Sequence, residues 1–456
     1  MESLNKLYPL TLINTLSNKK ENFTANNVKM YVCGITPYDY AHLGHGRCYV
    51  TFDILYRLLK FLGYEVTYCR NFTDIDDKTI KKAETEFNDP FLYKKISEKF
   101  IKSYLEDMEK LNCINPEHQP LVTEHIPEII KFIEGLINNK KAYATSAGDV
   151  YFSIDSFKEY GKLSKRNTAD LIAGCRVEVK EDKINPLDFA LWKSETKSGP
   201  GWDSPWGYGR PGWHIECSAL AKRYLGNTID IHGGGMDLIF PHHENEVAQS
   251  EGLHNQIFAR FWLHNAFVLV DKEKMSKSLG NFVTLKQILE KYNPMVIRYY
   301  YLLHHYRNPM EFSTEDILAA EKSYQKVAQL LQDIDELSFD NFDPKKHELA
   351  NALIKALTDD LNIAKFFGII FEHIKELEKD KVLSKTTELG LIKTIITTIL
   401  GLKLTLLEKA KVDITPEIQE LIDQREEARK AKDWKASDEI RDQLKTLGYD
   451  AHDKKL

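Results

Sequence analysis

Residues 28–69 read VKMYVCGITPYDYAHLGHGRCYVTFDILYRLLKFLGYEVTYC and decide the fold. The first six of these residues are mostly β-branched, aromatic or otherwise apolar, which predicts a short buried strand. From Leu43 to Leu62 the apolar residues recur at helical spacing, and Gly63 is typical of a helix end. Residues 64–69 predict a second strand. Strand, helix and strand form a βαβ unit, which predicts a parallel sheet with a functional site beyond the carboxyl ends of its strands.

The composition is that of a multidomain protein with a large core. The 456 residues suggest roughly three domains, and 43% hydrophobic with 11% aromatic residues exclude wholesale disorder. The chain has 62 Lys and Arg against 68 Asp and Glu, a net charge of −6, which argues against indiscriminate coating of nucleic acid. A local basic face for one specific RNA is still allowed.

The sequence predicts neither export nor membrane insertion. The most apolar stretch, residues 389–407, is interrupted by Lys393 and Lys403, and the first residues lack a basic-then-apolar signal. The six scattered cysteines are too few for a disulfide scaffold, and we expect them to be structural thiols or metal ligands in a reducing compartment. We therefore expect a cytoplasmic protein with no membrane association.

A phosphate site is predicted where the loop after the first strand becomes a helix, at His42-Leu43-Gly44-His45. Free backbone N–H groups and the positive end of the helix dipole favour an anion there. Gly44 lets a flat ligand approach the backbone, and the imidazoles of His42 and His45 are spaced so that both can face a polyphosphate. The alternative is that His42 caps the helix and His45 is an ordinary, partly exposed histidine.

A second charged motif, Lys274-Met275-Ser276-Lys277-Ser278, stands just before the small-residue loop Leu279-Gly280-Asn281. The ammonium groups of Lys274 and Lys277 are suited to close over a pyrophosphate leaving group, where they would neutralise charge that builds as the phosphoryl bond breaks. Taken alone, such a loop is usually just solvated. The histidine and lysine motifs together, in this order, are highly specific.

A metal site is predicted from cysteine, histidine and glutamate residues in three segments. Pro241 suits a helix start, which would place His242 and Glu246 at positions i and i+4 on one helix face, where both can bind one ion. Adding Cys33 and Cys217 gives a plausible zinc set. Spacing alone does not choose among His232, His242, His243, Glu244 and Glu246. The alternatives are polar residues satisfied in a cleft, or a closed structural zinc site.

Seven motifs between about residues 30 and 306 resemble the cysteinyl-tRNA synthetase family of class I aminoacyl-tRNA synthetases. In chain order they are YVCGIT (31–36), HLGHGR (42–47), NFTDIDDK (71–78), GRPGWHIEC (209–217), DIHGGG (230–235), PHHENE (241–246) and KMSKSLGN (274–281). The leucine at position 43 replaces an isoleucine that is common in the family motif, which is a conservative change.

The resemblance implies site residues for one zinc ion, ATP with Mg²⁺, and L-cysteine. The implied zinc ligands, which also present the metal to the substrate thiolate, are Cys33, Cys217, His242 and Glu246. The implied ATP contacts are His42, Gly44 and His45, with Asp237 on the adenosine side. The implied transition-state cations are Lys277 above all and Lys274. The implied lining of the cysteine pocket is Trp213 and Thr36.

The resemblance also implies the reaction and its partners. The enzyme would activate L-cysteine with ATP to cysteinyl-adenylate, release pyrophosphate and transfer cysteine to tRNA(Cys), acting as a monomer. Two thiolates and a carboxylate overcompensate a 2+ ion, so the metal would be a poor activator of water but would still accept a soft thiolate. We therefore predict that zinc selects the thiol against the hydroxyl of serine and makes a separate editing step unnecessary.

The patterns and the resemblance together predict an α/β fold: a Rossmann-like parallel-sheet catalytic domain with an insertion, followed by an α-helical C-terminal domain. Residues 417–447 predict a charge-laced helical segment. The expected domains are 1–115 and 206–265 for the two halves of the catalytic domain, 116–205 for the inserted connective domain, 266–318 for the lysine loop and stem-contact region, and 319–456 for the helical region that binds the tRNA anticodon arm.

Three other functions share part of these features. A cysteine ligase that passes the adenylate to an amino-sugar has the same core and zinc set, but the long helical C-terminal region favours a tRNA partner. A catalytically silent tRNA-binding relative is disfavoured by the intact histidine and lysine motifs. A zinc hydrolase is disfavoured because it would use three protein ligands and an open position.

Overall fold

The computed structural model describes residues 3–166, 183–270, 273–274, 283–340, 342–383, 386–407 and 415–446. The chain divides into two compact units, residues 1–404 and 405–456. Within the described residues the strands are β1 (Thr11–Asn14), β2 (Lys19–Asn22), β3 (Asn27–Val32), β4 (Glu65–Cys69), β5 (Ala142–Ala144), β6 (Val150–Phe152), β7 (Phe189–Ser194), β8 (Gly209–Pro211), β9 (Ile229–Gly235), β10 (Ala259–Asn265), β11 (Val268–Val270), β12 (Glu273–Lys274) and β13 (Met310–Glu311).

The α-helices of the same residues span most of the rest. They are α1 (Leu4–Leu7), α2 (Leu43–Phe61), α3 (Asp77–Phe87), α4 (Tyr93–Lys110), α5 (Ile126–Asn138), α6 (Trp213–Leu225), α7 (Glu244–His254), α8 (Leu285–Lys291), α9 (Pro294–Leu302), α10 (Thr314–Leu331), α11 (Glu348–Thr358), α12 (Ile363–Glu372), α13 (Ile374–Val382), α14 (Thr386–Thr394), α15 (Pro416–Lys430) and α16 (Trp434–Thr446). None of these helices has the length and apolarity that crossing a bilayer requires.

A four-stranded parallel sheet forms the centre of the first unit, with strand order β10-β9-β3-β4. Strand β3 lies between β4, its neighbour in the βαβ unit, and β9, which comes almost two hundred residues later; Tyr31 pairs with Cys69 on one side and with His232 on the other. Helix α2 packs against β4, β9 and β10, and α6 packs against β3 and β4. The parallel α/β fold predicted from residues 28–69 is confirmed.

Helix α2 follows the sequence pattern closely. Its buried residues include Phe52, Leu55 and Leu59, which share one apolar helix face, and the Phe52 ring packs against Gly233 of β9. The chain leaves the helix through Gly63 at φ +91°, a left-handed conformation that glycine adopts without steric cost. The helix therefore begins at the carboxyl end of β3 and returns the chain to the start of β4.

Besides the antiparallel pair β1–β2, two further sheets lie in the described residues. The inserted region forms an antiparallel sheet of order β5-β6-β7-β8. Further along, β11 pairs in parallel with β13 and antiparallel with β12, so that Leu269 lies opposite Lys274 in the backbone register. The strand that leads to the lysine motif, β11, therefore follows directly after β10.

Buried polar contacts attach the helices after residue 313 to the sheet region. Arg298 of α9 is fully buried, pairs with Asp53 of α2 at 2.5 Å and donates to the Leu400 carbonyl at 2.7 Å. Asn362 caps α12 by accepting from the Lys365 amide, as its place before an apolar run predicts. These helices, up to residue 404, thus belong to the same compact unit as the parallel sheet.

The second unit is a helical hairpin in its described part. Helices α15 and α16 pack against each other, and the predicted charge-laced segment is interrupted between them at Lys432, which has φ +58°. The Asp433 side chain accepts from the Ala436 amide at the start of α16. The two-helix arrangement arises because an aspartate with this capping contact begins a new helix directly after a left-handed residue.

Candidate active site and metal centre

A cavity of about 340 Å³ opens beyond the carboxyl ends of the four parallel strands. This is the position that the sheet topology predicts, since β3 and β9 come from different halves of the chain and diverge there. The predicted site residues that line it are Cys33, Thr36, His42, Gly44, His45, Trp213, Cys217, Asp237 and His242. Segments far apart in the sequence therefore share one space large enough for a small ligand.

The predicted zinc ligands form a compact buried cluster on one side of this cavity. The Sγ atom of Cys33 lies 3.7 Å from Sγ of Cys217 and 3.4 Å from Oε1 of Glu246. Nε2 of His242 lies 3.1 Å from the same Glu246 oxygen, and all four ligand atoms are within 4.8 Å of one another. The structure brings together every member of the set that the resemblance implied.

The spacing of these atoms suits a tetrahedral zinc ion. Ligands bound at about 2.3 Å through sulfur and about 2.0–2.2 Å through nitrogen or oxygen lie about 3.3–3.8 Å from one another around a tetrahedral ion. The observed separations of 3.1, 3.4 and 3.7 Å are close to that range. Soft thiolates with one imidazole and one carboxylate also form a donor set that zinc favours.

A second grouping overlaps the first. Cys33 and Glu246 are also grouped with His232 and His243, whose ligand atoms meet the same distance limit. Nε2 of His232 donates at 2.9 Å to Oε2 of Glu246, the oxygen that does not face His242. Only the first grouping contains two thiolates and faces the cavity through both Cys217 and His242. The geometry therefore favours His242 as a ligand, with His232 hydrogen-bonded behind Glu246.

The histidines around the cluster form hydrogen-bonded pairs. Nδ1 of His242 lies 3.0 Å from Nδ1 of His214, and Nδ1 of His243 lies 2.8 Å from Nε2 of His264. Such outer partners fix the ring orientation and the tautomer of a ligating imidazole. Burial lowers the pKa of His264 to about 3 and holds the pKa of His214 well below its usual range. The outer histidines are therefore neutral and act as hydrogen-bonding groups.

Electrostatic coupling inside the cluster favours its charged forms. The hydrogen bond from Cys33 lowers the pKa of Cys217 to about 6, whereas burial raises the pKa of Cys33 well above its usual range. Burial also raises the pKa of Glu246, but His232 and His242 outweigh it and lower that pKa to about 2. The site thus already stabilises one thiolate and one carboxylate, the forms in which these residues bind metals.

The local backbone before His242 has a kink at the residue that precedes the predicted helix start. The helical turn Ile239–His243 continues directly into α7, and Phe240 is the residue in this turn that departs from helical dihedral angles. Phe240 keeps extended dihedral angles (φ −139°, ψ 132°) because a residue before proline is pushed away from the helical region. The backbone after Phe240 is helical up to α7, as a helix start at Pro241 predicts, and His242 reaches Glu246 across one turn at 3.1 Å.

His42 and His45 form the start of α2 and face the cavity together. Nδ1 of His42 accepts from the His45 amide at 3.3 Å and Nδ1 of His45 accepts from the His42 amide at 3.2 Å, a reciprocal cap. The two rings stack at 3.7 Å between centroids. A Cβ atom on Gly44 would approach the His42 ring to 2.9 Å, so glycine keeps this turn open. The same two histidines therefore cap α2 and line the cavity.

The remaining predicted cavity residues lie on both sides of this helix start. Trp213, 39% exposed, stacks on the His242 ring with centroids 4.4 Å apart. Asp237 lies just after β9, where a Cβ on Gly235 would clash with its carboxylate at 2.4 Å. The backbone of Lys274 is in β12, but its side chain and the whole of Lys277 lie outside the described residues.

The sequence analysis assigned no role to several residues that support the site. Asn71 accepts from the Gly34 amide at 3.1 Å and lies 3.6 Å from Sγ of Cys217, and Thr73 donates to the buried Glu216 at 2.8 Å. Lys78 and Asn265 line the cavity. Asn71, Thr73 and Asn265 follow or end parallel strands, so the rule that carboxyl ends of strands gather at one edge was the available signal.

Comparison with known proteins agrees with this geometry. Residues 19–322 match the family described as tRNA synthetases class I (C) catalytic domain, and residues 411–456 match the Cysteinyl-tRNA ligase anticodon binding domain. The cysteine–tRNA ligase of Geobacter sulfurreducens is 46% identical over 96% of each chain, and that of Thermodesulfovibrio yellowstonii is 44% identical over 98% of each chain.

The fold is shared with a solved structure of much lower sequence similarity. Mycobacterium tuberculosis methionyl-tRNA synthetase in complex with methionyl-adenylate aligns with a TM-score of 0.59 over 82% of this chain and 89% of that chain, at 13% identity. The family matches, the near full-length relatives and the shared fold lead to one assignment. The chain belongs to the cysteinyl-tRNA synthetase family of class I aminoacyl-tRNA synthetases, which are ligases.

Proposed function

We propose that this enzyme activates L-cysteine with ATP and transfers the cysteinyl group to tRNA(Cys). The single observation that carries the proposal is that one cavity is lined by Cys33, Cys217 and His242 on one side and by the helix start at His42 and His45 on the other. A sulfur-binding set and a phosphate-binding helix end therefore share a space in which an amino acid and a nucleotide can meet.

The metal part of the proposal assigns zinc to the buried cluster. The ligands would be Cys33, Cys217, His242 and Glu246, supported by separations that suit tetrahedral zinc. When bound, zinc supplies a soft position that accepts the thiolate of the substrate and not the hydroxyl of serine. The chain's own contribution is to hold the ligands in place, with His214 and His232 hydrogen-bonded behind them.

The substrate cysteine would lie between this cluster and the helix start. Trp213 stacks on His242 at the cavity and is suited to cover one side of the amino acid, and Thr36 lines the cavity close to Cys33. In this placement the thiol points toward the cluster. The carboxylate then points toward the phosphate side, which is the direction that activation requires.

The first step would be carried by charge and position. A carboxylate oxygen of cysteine attacks the α-phosphorus of ATP, the bond from that phosphorus to the oxygen bridging the α- and β-phosphates breaks, and pyrophosphate leaves. Mg²⁺ bound to the nucleotide would offset part of the phosphate charge. His42, Gly44 and His45 would contact the phosphates at the start of α2, with Asp237 on the adenosine side. Lys277, with Lys274, would neutralise the charge that develops on the leaving group.

The second step would transfer the acyl group to RNA. A hydroxyl of the terminal tRNA ribose attacks the carbonyl carbon of the adenylate, and AMP leaves together with a proton. The match of residues 411–456 to an anticodon-binding domain supports a role of the C-terminal region in holding the tRNA. The domain boundaries expected from the sequence, at residues 115, 205, 265 and 318, are part of this proposal.

The test is cysteine-dependent exchange of labelled pyrophosphate into ATP, with and without tRNA, followed by charging of tRNA(Cys). We expect exchange with cysteine and charging of the tRNA. Exchange without charging would favour the amino-sugar ligase. The absence of exchange in a folded, zinc-loaded protein would favour a catalytically silent relative.

A further inference from the structure

Arg47, two residues after His45 at the end of the motif HLGHGR, makes an unusual set of contacts. Its side chain is 1% exposed, and its guanidinium donates to four backbone carbonyls. Nη1 contacts the oxygens of Ala266 at 3.1 Å and Phe267 at 2.9 Å, and Nη2 contacts those of His305 at 3.1 Å and Asn308 at 2.5 Å. Within the described part of the chain no carboxylate pairs with it. Both terminal nitrogens of this buried cation therefore bind main-chain oxygens.

The four carbonyls belong to two connections that meet beside the cavity. Ala266 and Phe267 join β10 to β11 and line the cavity, as does Val268 at the start of β11. His305 and Asn308 lie in the turn between α9 and β13, the strand that pairs with β11. Arg47 therefore connects α2 with the segments that lead into β11 and β13, two strands of the small sheet that also contains β12.

That small sheet carries the backbone of the lysine motif's first residue. In β12, Lys274 lies opposite Leu269 of β11, and the Phe312 amide donates to the Leu269 carbonyl from the other side. The register of this strand relative to α2 is set where β11 starts. Arg47 is the side chain that fixes this start against the helix whose first residues are His42 and His45.

The chemistry of the contacts requires arginine. A planar guanidinium presents several N–H groups in fixed directions, so one side chain can bind two separate pairs of carbonyls at once. A lysine ammonium keeps the charge but is a single point, and it cannot reach both pairs. Because a displacement of about 1 Å at an active site costs about 10²-fold in rate, loosening this junction should affect the reaction directly.

We propose that Arg47 is a positioning residue that holds the β10–β11 cavity wall, and the strand leading to Lys274, in register with the phosphate-binding start of α2. The inference rests on the proposed use of this side of the cavity for ATP. It assigns no contact between Arg47 and substrate. The cysteine side, formed by Cys33 and Cys217, is not touched by its guanidinium.

The test compares the full-length variant Arg47→Lys with the matched control Arg298→Lys. Arg298 is also fully buried and also donates to main-chain carbonyls, those of Leu400 and Leu111, but none of its partners lines the cavity. The measurements are kcat and the KM values for ATP and for cysteine in pyrophosphate exchange, together with amide hydrogen exchange.

In Arg47→Lys we expect kcat to fall by about 10–100-fold and the KM for ATP to rise, with the KM for cysteine unchanged within about twofold. The amides of Ala266, Met310 and Phe312, which bond across this junction, should exchange faster. In Arg298→Lys the three kinetic constants should stay within about twofold of the wild type, although the protein is less stable.

Several results would overturn the inference: unchanged kinetics in Arg47→Lys, equal changes in both KM values, the same kinetic losses in Arg298→Lys, or failure of Arg47→Lys to fold. The last result counts against it because a residue that only positions should tolerate lysine with the fold intact. If the wild type itself showed no exchange, the proposed function would fail, and the amide measurements would still decide whether Arg47 holds this junction.

Discussion

The sulfur atoms of Cys33 and Cys217 lie 3.7 Å apart although 184 residues separate them in the chain. Cys33 follows β3 in the first half of the parallel sheet, and Cys217 lies on α6, which packs against β3 and β4 before the chain enters β9. The pair therefore exists only when both halves of the sheet are assembled. The proposed metal centre is consequently a reporter of correct folding as well as of substrate recognition.

Replacing Cys217 by alanine should remove both the metal and cysteine recognition. We expect zinc affinity to fall by more than about 100-fold, since even outer contacts of a metal ligand are worth 10–100-fold. The KM for cysteine should rise with it, whereas ATP binding should change little. Metal analysis and pyrophosphate exchange measure these effects.

The control for this variant is Cys69→Ala. Cys69 is also a buried thiol, at the end of β4, but belongs to neither metal grouping. Its replacement should lower the free energy of unfolding by about 1 kcal/mol and leave the zinc content unchanged. Equal zinc loss in both variants would mean that the metal depends on general packing and not on the thiolate of Cys217.

Serine should be a very poor substrate without any editing reaction. A hydrophobic pocket separates near-isosteres by only about 10²-fold, whereas a site that bonds the distinguishing group reaches about 10⁴-fold or more. We expect kcat/KM for serine in pyrophosphate exchange to be lower than that for cysteine by about 10⁴-fold or more. Discrimination of about 100-fold or less, or hydrolysis of misactivated serine, would refute selection by zinc.

The two roles of His42 can be separated by His42→Asn and His42→Ala. Asparagine is a good helix cap, so His42→Asn should keep the free energy of unfolding within about 0.5 kcal/mol, whereas His42→Ala should lose about 1 kcal/mol. Both variants should lose about 10²-fold in exchange rate, because each lacks the imidazole that, in the proposed function, contacts the phosphates. Recovery of activity in His42→Asn would show that capping alone is required.

Removal of residues 405–456 should separate activation from transfer to tRNA. These residues form a compact unit of their own and match an anticodon-binding domain over 411–456. We expect cysteine-dependent exchange to stay within about twofold of the full chain, since the cavity lies within residues 1–404. Charging of tRNA(Cys) should fall by at least about 10-fold. Loss of exchange as well would contradict this separation.

The local part of the fold was predictable because its signals are local. Apolar spacing between Leu43 and Leu62, with Gly63 after it, predicts the ends of α2 within a residue or two. Two six-residue stretches rich in β-branched and aromatic residues predict β3 and β4. The pairing of β3 with β9 follows from contacts between distant segments, which single-sequence patterns do not encode. The resemblance to a family supplied that long-range information.

The choice between neighbouring histidines could not be made from spacing. His242 and His243 are both buried and both adjoin Glu246, but His242 lines the cavity and His243 does not. The two rings have different partners, since His242 contacts His214 and Glu246 whereas His243 contacts His264. These partners come from other segments of the chain, and spacing along the sequence does not encode such contacts.

The most direct test of the central claim is X-ray absorption at the zinc edge of the purified protein, with and without cysteine. We predict two sulfur neighbours in the free enzyme, from Cys33 and Cys217, and three after addition of cysteine, with no change after addition of serine. A sulfur count that stays at two in saturating cysteine would contradict recognition of the substrate thiol by the metal.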